Sequence, residues 1–279
     1  VPEGDTVWLA AQRLHEALAG RPLTVADFRI PQLATVSLVG QTVDAVVPRG
    51  KHLLFRLSSG LVLHTHFRMD GSWHLYAPGA PWTGGPDWQV RVVLANAAVV
   101  AVGYRLPVVE LVEDEKTVVA HLGPDVLDDG FDAEEAVRRL AADPAREIGL
   151  ALLDQRNLAG LGNLYRTEVL FLSGVSPWTP AGEVDLPSVV RRSVRLLRAN
   201  RHRWEQSTTG SLRAGEDHWV FERAGKPCRR CGRPVLMAEQ GAPPQQRLTY
   251  WCGHCQPGPA PAPVPRRAAR PRGRTRYPP

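Results

Sequence analysis

Cysteine is missing from the first 227 residues of this 279-residue chain and occurs four times in all, between positions 228 and 255. A disulfide framework would spread its half-cystines through the fold, so this distribution argues against one and points to metal ligation in a reducing compartment. No apolar run approaches the roughly 20 residues that a membrane-spanning helix needs. No signal-like start is present either, and the chain reads as soluble and cytoplasmic. The folded part also lacks an excess of positive charge. Six of the 34 Lys and Arg residues are arginines within 257–279, a stretch without acids, and setting them aside leaves 28 basic against 28 acidic residues. Any nucleic-acid contact in the folded part must therefore come from local basic clusters rather than from bulk charge. The length suits two modest domains, each large enough to bury a core.

Apolar residues recur at helical spacing from Asp5 to Ala19 (Val7, Ala10, Ala11, Leu14, Leu18), with Asp5 or Thr6 as the N-cap and Gly20 and Pro22 closing the element. The period then changes to that of strands. His52–Leu57 and Leu61–His64 read as a hairpin, and Trp88–Val102 adds another, which predicts an antiparallel sandwich or barrel with a Pro/Gly-rich loop at 77–87. After about residue 117 the pattern turns helical. Asp132 and Glu135 form a capping box, and further helices are expected over about 145–156, from Asn163 to about Gly174, and over about 187–201.

Candidate chemistry begins at Val1-Pro2-Glu3-Gly4. A proline whose nitrogen is a free terminus is a secondary amine able to attack a sugar carbon and form an iminium, and Glu3 beside it could move protons. A helix that starts immediately afterwards would hold such a nucleophile still. Gly160-Leu161-Gly162-Asn163 is either a plain tight turn between helices or a place where backbone amides and a helix N-terminus approach a phosphate. Arg191, Arg192, Arg195, Arg198, Arg201 and Arg203 form a basic run, read either as a solvated face or as part of a nucleic-acid footprint. Cys228-x-x-Cys231 and Cys252-x-x-Cys255 are separated by twenty residues, a spacing at which four thiolates close a tetrahedral zinc site between two short hairpins. A thioredoxin-like redox pair would need only one such motif. The zinc would be structural, displaying Arg229, Arg230, Arg233 and Arg247. From Pro257 onward the Pro-Ala and Arg-rich sequence is expected to be a disordered basic tail that adds salt-sensitive attraction to phosphate.

Several further motifs occur in order: Arg49-Gly50-Lys51, His66-Phe67-Arg68-Met69-Asp70-Gly71, Leu122-Gly123-Pro124-Asp125, Leu153-Asp154-Gln155, Gly225-Lys226-Pro227-Cys228 and Arg247-Leu248-Thr249. Together with Pro2-Glu3-Gly4 and Asn163 they make residues 2–256 resemble the formamidopyrimidine-DNA glycosylase/endonuclease VIII family. The resemblance implies an α+β multidomain fold. It has an N-terminal helix plus antiparallel β-sandwich (1–116), a helix-two-turn-helix DNA-binding domain (117–215), a four-cysteine zinc finger (216–256) and the basic tail (257–279). It implies a bacterial, nucleoid-associated, monomeric repair enzyme that removes oxidised bases from double-stranded DNA and cuts at the abasic site. Pro2 would attack C1′ of the flipped nucleotide and leave a Schiff base, with Glu3 transferring protons at the sugar. Lys51 would hold a phosphate and serve β-elimination, and Arg247 would grip phosphates and assist δ-elimination. Asn163 would complete the clamp, Met69 would wedge into the vacated stack, and Arg68 would contact the widowed strand. The alternative for Met69 is a core position on a strand, although the following Asp-Gly favours a tip. His121 falls where a family arginine can contact DNA. Cys228, Cys231, Cys252 and Cys255 would bind one structural zinc ion.

Some positions depart from the family pattern. An Arg-Arg-Phe-Gly run is missing around Tyr104-Arg105-Leu106-Pro107, and Gly149 stands where the purine-acting branch carries a lysine, so the chain looks closer to the endonuclease VIII branch, which favours oxidised pyrimidines. Thr6 replaces a second glutamate, leaving lesion choice open. The competing reading is a catalytically silent lesion-sensing protein of the same fold. Val1 matters to the enzyme reading, because with an amide at Pro2 there is no available lone pair for either glycosylase or lyase chemistry. The enzyme reading requires Val1 to be a literal translation of a GTG start codon whose methionine is trimmed.

Overall fold

The structure, a computed structural model, describes residues 2–264, so the expectations for Val1 and for the arginines of the tail lie outside it. The described residues fall into two compact units, 2–121 and 122–264.

The first unit opens with helix α1 (Gly4–Leu18), whose Val7, Ala10, Ala11, Leu14 and Leu18 are all buried. The helix starts earlier than the sequence pattern predicts. Glu3 occupies the N-cap in extended conformation, while Asp5 and Thr6 lie inside the first turn. Burial of these two polar residues overrides their capping preference. Eight strands follow: β1 (Val25–Phe28), β2 (Val43–Arg49), β3 (His52–Leu57), β4 (Val62–His66), β5 (Ser72–Tyr76), β6 (Val90–Ala95), β7 (Val100–Tyr104) and β8 (Val108–Val112). They form two four-stranded antiparallel sheets, ordered β1-β6-β7-β5 and β2-β3-β4-β8. The sheets meet through Phe55 and Trp73, whose rings lie 5.2 Å apart, and Trp73 Nε1 donates to Thr65 Oγ1 at 3.3 Å. Because side chains alternate along a strand, His52, Leu54 and Arg56 lie on the other face of β3, away from that contact.

The second unit carries α3 (Ala133–Ala141), α4 (Ile148–Leu153), α5 (Asn163–Ser173), α6 (Leu186–Asn200) and a hairpin of β9 (Leu236–Gln240) with β10 (Arg247–Trp251); a short α2 (Lys116–Val119) precedes them in the first unit. Asp132 caps α3 by accepting from Glu135 N at 2.9 Å, as the capping-box spacing predicts. The α+β arrangement of a helix-led sandwich, a helical region and a four-cysteine segment is thus present. The start of the Pro-Ala stretch is held. Ser176 Oγ donates to Pro259 O at 2.5 Å, and Val264 N donates to Met237 O at 2.8 Å. Their partners lie more than 25 residues away in sequence, so composition alone reads this segment as loose. No helix among the described residues is long and apolar enough to cross a membrane.

Candidate active site

In the first unit, Pro2 is half-buried one residue before the N-cap of α1, and Glu3 is only 1% exposed. A nucleophile there would stand on a packed helix, with the helix N-terminus favouring negative charge on the neighbouring carboxyl group.

Lys51 stands in the two-residue turn between β2 and β3, where Arg49 pairs with His52. Gly50 has φ +58° and Lys51 does not share the positive φ, which is the pattern of a type II′ hairpin turn. At the same end of this sheet, the turn after β4 presents Met69, half exposed as the Asp-Gly signal predicts. Arg68, next to it, has φ +49°, a strained value for a side-chain-bearing residue. Three hydrogen bonds hold this loop: Arg68 N donates to His66 Nδ1 at 2.9 Å, Gly71 N donates to Phe67 O at 2.9 Å, and Arg105 Nε donates to Asp70 O at 3.0 Å.

Between these two turns lies a histidine cluster that motif reading misses. Glu110 Oε1 lies 2.7 Å from His64 Nδ1, and His64 Nε2 lies 2.8 Å from His52 Nδ1. The His52 and His64 rings stack at 4.9 Å, while His66 and His121 meet His52 edge-on at 5.0 and 5.8 Å. Burial pushes the His52 pKa down to about 3, helped by His66, His64, His121 and Arg68. Burial, then Arg68 and Lys51, lower His66 to about 3 as well, which puts both cations within electrostatic reach of that ring. The signal that could have found the cluster is His64-x-His66, two imidazoles on one face of a strand, paired with His52 across the hairpin.

In the second unit, Asn163 opens α5 after the extended N-cap Gly162, and its side chain is committed within the protein. Asn163 Nδ2 donates to Leu248 O at 2.9 Å, and its Oδ1 accepts from Arg166 at 2.5 Å. Arg166 is fully buried and also donates to Gly149 O at 3.2 Å, Gln240 Oε1 at 2.6 Å and Thr249 Oγ1 at 2.7 Å. This hub ties the start of α5 to the hairpin that carries Arg247, which is itself exposed beside the 241–246 loop. Gly149 is required by the same network. A Cβ there would lie 2.5 Å from Gln240 Oε1 and 2.8 Å from Pro177 O, so no lysine fits at this position. Gln155 shapes the preceding turn, donating to Leu153 O and Leu161 O and accepting from Gly160 N. Glu168, also fully buried, accepts from the backbone N–H groups of Trp219, Val220 and Phe221, each at 2.8 Å, and from the Thr208 hydroxyl, fixing that segment on α5.

The four cysteine sulfurs lie within 4.8 Å of one another, with Cys228–Cys255 at 3.9 Å and Cys231–Cys252 at 3.4 Å. Tetrahedral Zn–S bonds of about 2.3 Å give S···S edges of about 3.8 Å, so the donor set fits. The thiols are crowded. A backbone N–H from Arg233 lowers Cys231 to about 7, whereas burial and the neighbouring thiols push Cys255 up to about 12. Four thiolates here need a divalent cation to compensate them. Of the arginines expected on display, Arg229 is exposed and donates to His218 O at 2.9 Å, and Arg230, also exposed, lies over the Phe171 ring at 4.6 Å. Arg230 and Arg195 both lower the pKa of Arg192, after burial, so the basic run of α6 continues onto the cysteine knuckle.

Comparison with known proteins finds the family models "Formamidopyrimidine-DNA glycosylase N-terminal domain" over residues 1–105 and "Formamidopyrimidine-DNA glycosylase H2TH domain" over residues 122–198. The chain is 54% identical over 277 residues to "Probable endonuclease 8 2" of Streptomyces coelicolor, covering 98% of this chain and 100% of that protein. It is 42% identical over 260 residues to "DNA-(apurinic or apyrimidinic site) lyase Nei2" of Mycolicibacterium smegmatis, covering 92% of this chain and 99% of that one. In fold it is similar to Lactococcus lactis Fpg solved with DNA containing an abasic site. The TM-score is 0.75 at 21% identity, covering 92% of this chain and 100% of that one.

Proposed function

The chain belongs to the formamidopyrimidine-DNA glycosylase/endonuclease VIII family, and on that premise we propose that it is a base-excision DNA glycosylase with abasic-site lyase activity. The observation that carries this reading is Pro2 at the head of a buried helix, with Glu3 sequestered beside it.

The Pro2 nitrogen lone pair attacks C1′ of the damaged nucleotide as the bond from C1′ to the base breaks, and Glu3 relays protons at the sugar as the ring opens to an iminium. Loss of the C2′ proton sends electrons into that iminium and lets the 3′ phosphate leave, and a second elimination releases the 5′ phosphate. Lys51 neutralises the charge that develops on a departing phosphate, and the exposed Arg247 serves the second departure. The exposure of Met69 supports its assignment as the wedge that replaces the flipped base, with Arg68 on the opposite strand and His121 at the margin. Asn163 acts as a strut between α5 and β10 and keeps one amide hydrogen for a phosphate.

Cys228, Cys231, Cys252 and Cys255 would hold one zinc ion, which supplies folding energy to a segment too small for its own core. The helical segment and the cysteine hairpins then form the part that grips double-stranded DNA. The protein works as a monomer on the bacterial nucleoid. The closed environment of Gly149 supports a preference for oxidised pyrimidines, since the site has no room for the lysine of the purine-acting branch. The test is a panel of duplexes with defined lesions, incubated with protein whose mass shows a Pro2 terminus. Oxidised pyrimidines should be excised fastest, and abasic sites cut to β,δ-elimination products. Binding without cleavage of any duplex would leave the silent DNA-binding reading instead.

A further inference from the structure

The elimination residue Lys51 and the wedge loop around Met69 are far apart in sequence, yet two imidazoles join them. His52 ends the turn that carries Lys51, His66 ends the strand that leads into Arg68 and Met69, and the two are direct cross-strand partners. Their tautomers follow from the hydrogen-bond pattern. A carboxylate only accepts, so His64 Nδ1–H donates to Glu110, and in the neutral form of that ring His64 Nε2 accepts from His52 Nδ1–H. His66 Nδ1 accepts from the backbone N–H of Arg68, so it too carries no proton there. His66 is thus held oriented and fixes the backbone of the Arg68 turn, while His52, the residue that ends the Lys51 turn, is oriented by His64 and packed edge-on against His66. His64 is 3% exposed, and a chain of three histidines and an acid occupying a sheet face that apolar residues could pack more cheaply calls for a use.

We propose that His52, anchored through His64 to Glu110 and paired with His66, is a positioning residue that holds Lys51 in register with the Arg68–Met69 loop. Insertion of the wedge and placement of the lysine then occur as one event. The inference rests on the glycosylase and lyase reading. The low pKa values of both rings agree with it, because a proton on His66 would place a cation against Arg68 and Lys51, and one on His52 a cation against Arg68.

The test uses the full chain beginning at Pro2, with His52→Phe, Glu110→Leu and Glu110→Gln, on an abasic-site duplex in single turnover, together with imidazole 15N spectra of the wild type. His52→Phe and Glu110→Leu should slow elimination about tenfold, the scale expected when a reacting group is misplaced by a fraction of an ångström. Duplex affinity and the yield of the borohydride-reduced adduct should stay within about twofold, since Pro2 is untouched. Glu110→Gln keeps an oxygen to accept from His64 and should recover most of the rate, whereas a purely electrostatic role would leave it as slow as Glu110→Leu. The spectra should show His52 neutral and protonated at Nδ1 across roughly pH 5 to 8. His52 protonated at Nε2, or elimination and adduct yield falling together, would overturn the proposal. A wild-type chain that forms no adduct while its spectra show the expected tautomer would instead overturn the enzyme reading, and with it this role.

Discussion

The two units hold their polar residues in opposite ways. In the first, Lys51, Arg68 and Met69 stand on turns, and the imidazoles beneath them, His64 buried and His52 and His66 half-buried, are joined to an exposed carboxylate, Glu110. In the second, a charged group sits at the centre. Arg166 is fully buried and held by neutral oxygens from α5, β9 and β10, while Glu168 is buried among backbone N–H groups. The first arrangement leaves cations accessible at a surface, which suits chemistry on phosphates. The second converts charges into struts, which suits a rigid grip. A perturbation should therefore damage reaction rate in one unit and stability in the other.

Removing zinc is expected to have the largest effect. Chelation should unfold the 216–256 segment and abolish duplex binding, while hydrogen exchange in the sandwich strands stays unchanged; loss of protection in both units together would break the contrast. Next is Arg166→Met, which leaves the oxygens of Gln240, Thr249 and Asn163 without their donor. It should cost about 3 kcal/mol of second-unit stability in a denaturant titration. Lys51→Ala should do the reverse, lowering strand cleavage about 100-fold while the melting temperature hardly moves. A drop in melting temperature in step with activity would count against its catalytic assignment.

Acid should separate the units more gently. His52 and His66 have pKa values lowered from 6.5 to about 3, so between those limits the unfolded chain binds protons that the folded first unit does not. Stability of that unit is therefore full above pH 6.5 and declines as pH falls towards 3, each ring adding at most about 1.4 kcal/mol per pH unit. In the second unit the guanidinium of Arg156, with that of Arg146, holds the Asp154 carboxyl well below its usual 3.8. Its contribution is present above pH 3.8 and is lost only below that. Acid unfolding followed residue by residue should show the sandwich yielding first, and His52→Phe should flatten its slope between pH 6.5 and 3.

What could be read from the sequence divides along the same line. The Pro2-Glu3-Gly4 motif, the Arg49-Gly50-Lys51 motif, the Met69 tip and the cysteine pairs are local signals, carried by residues a few positions apart. The α+β class and the start of α5 at Asn163 followed from periodicity and glycine placement. The start of α1 departs from the sequence pattern because Asp5 and Thr6 look like caps yet lie buried inside the first turn. The Arg166 hub was out of reach, since its partners Gln240 and Thr249 lie 74 and 83 residues away. In sequence Arg166 is simply one more basic residue on a helix. Gly149 shows the same limit: its identity was legible as a departure from the family pattern, but its reason is a close approach to Gln240 that only the fold reveals. The histidines fell between the two cases, with the His64-x-His66 alternation visible and the link to His52 and Glu110 created by strand pairing.

The most direct test of the account is to map the adduct. The full chain, shown by intact mass to begin at Pro2, is reacted with abasic-site duplex under borohydride, digested and sequenced by mass spectrometry. One modified peptide is expected, the N-terminal one, with the reduced sugar on the Pro2 nitrogen. An adduct on Lys51, or equal adduct yield from a chain that retains Val1, would contradict it.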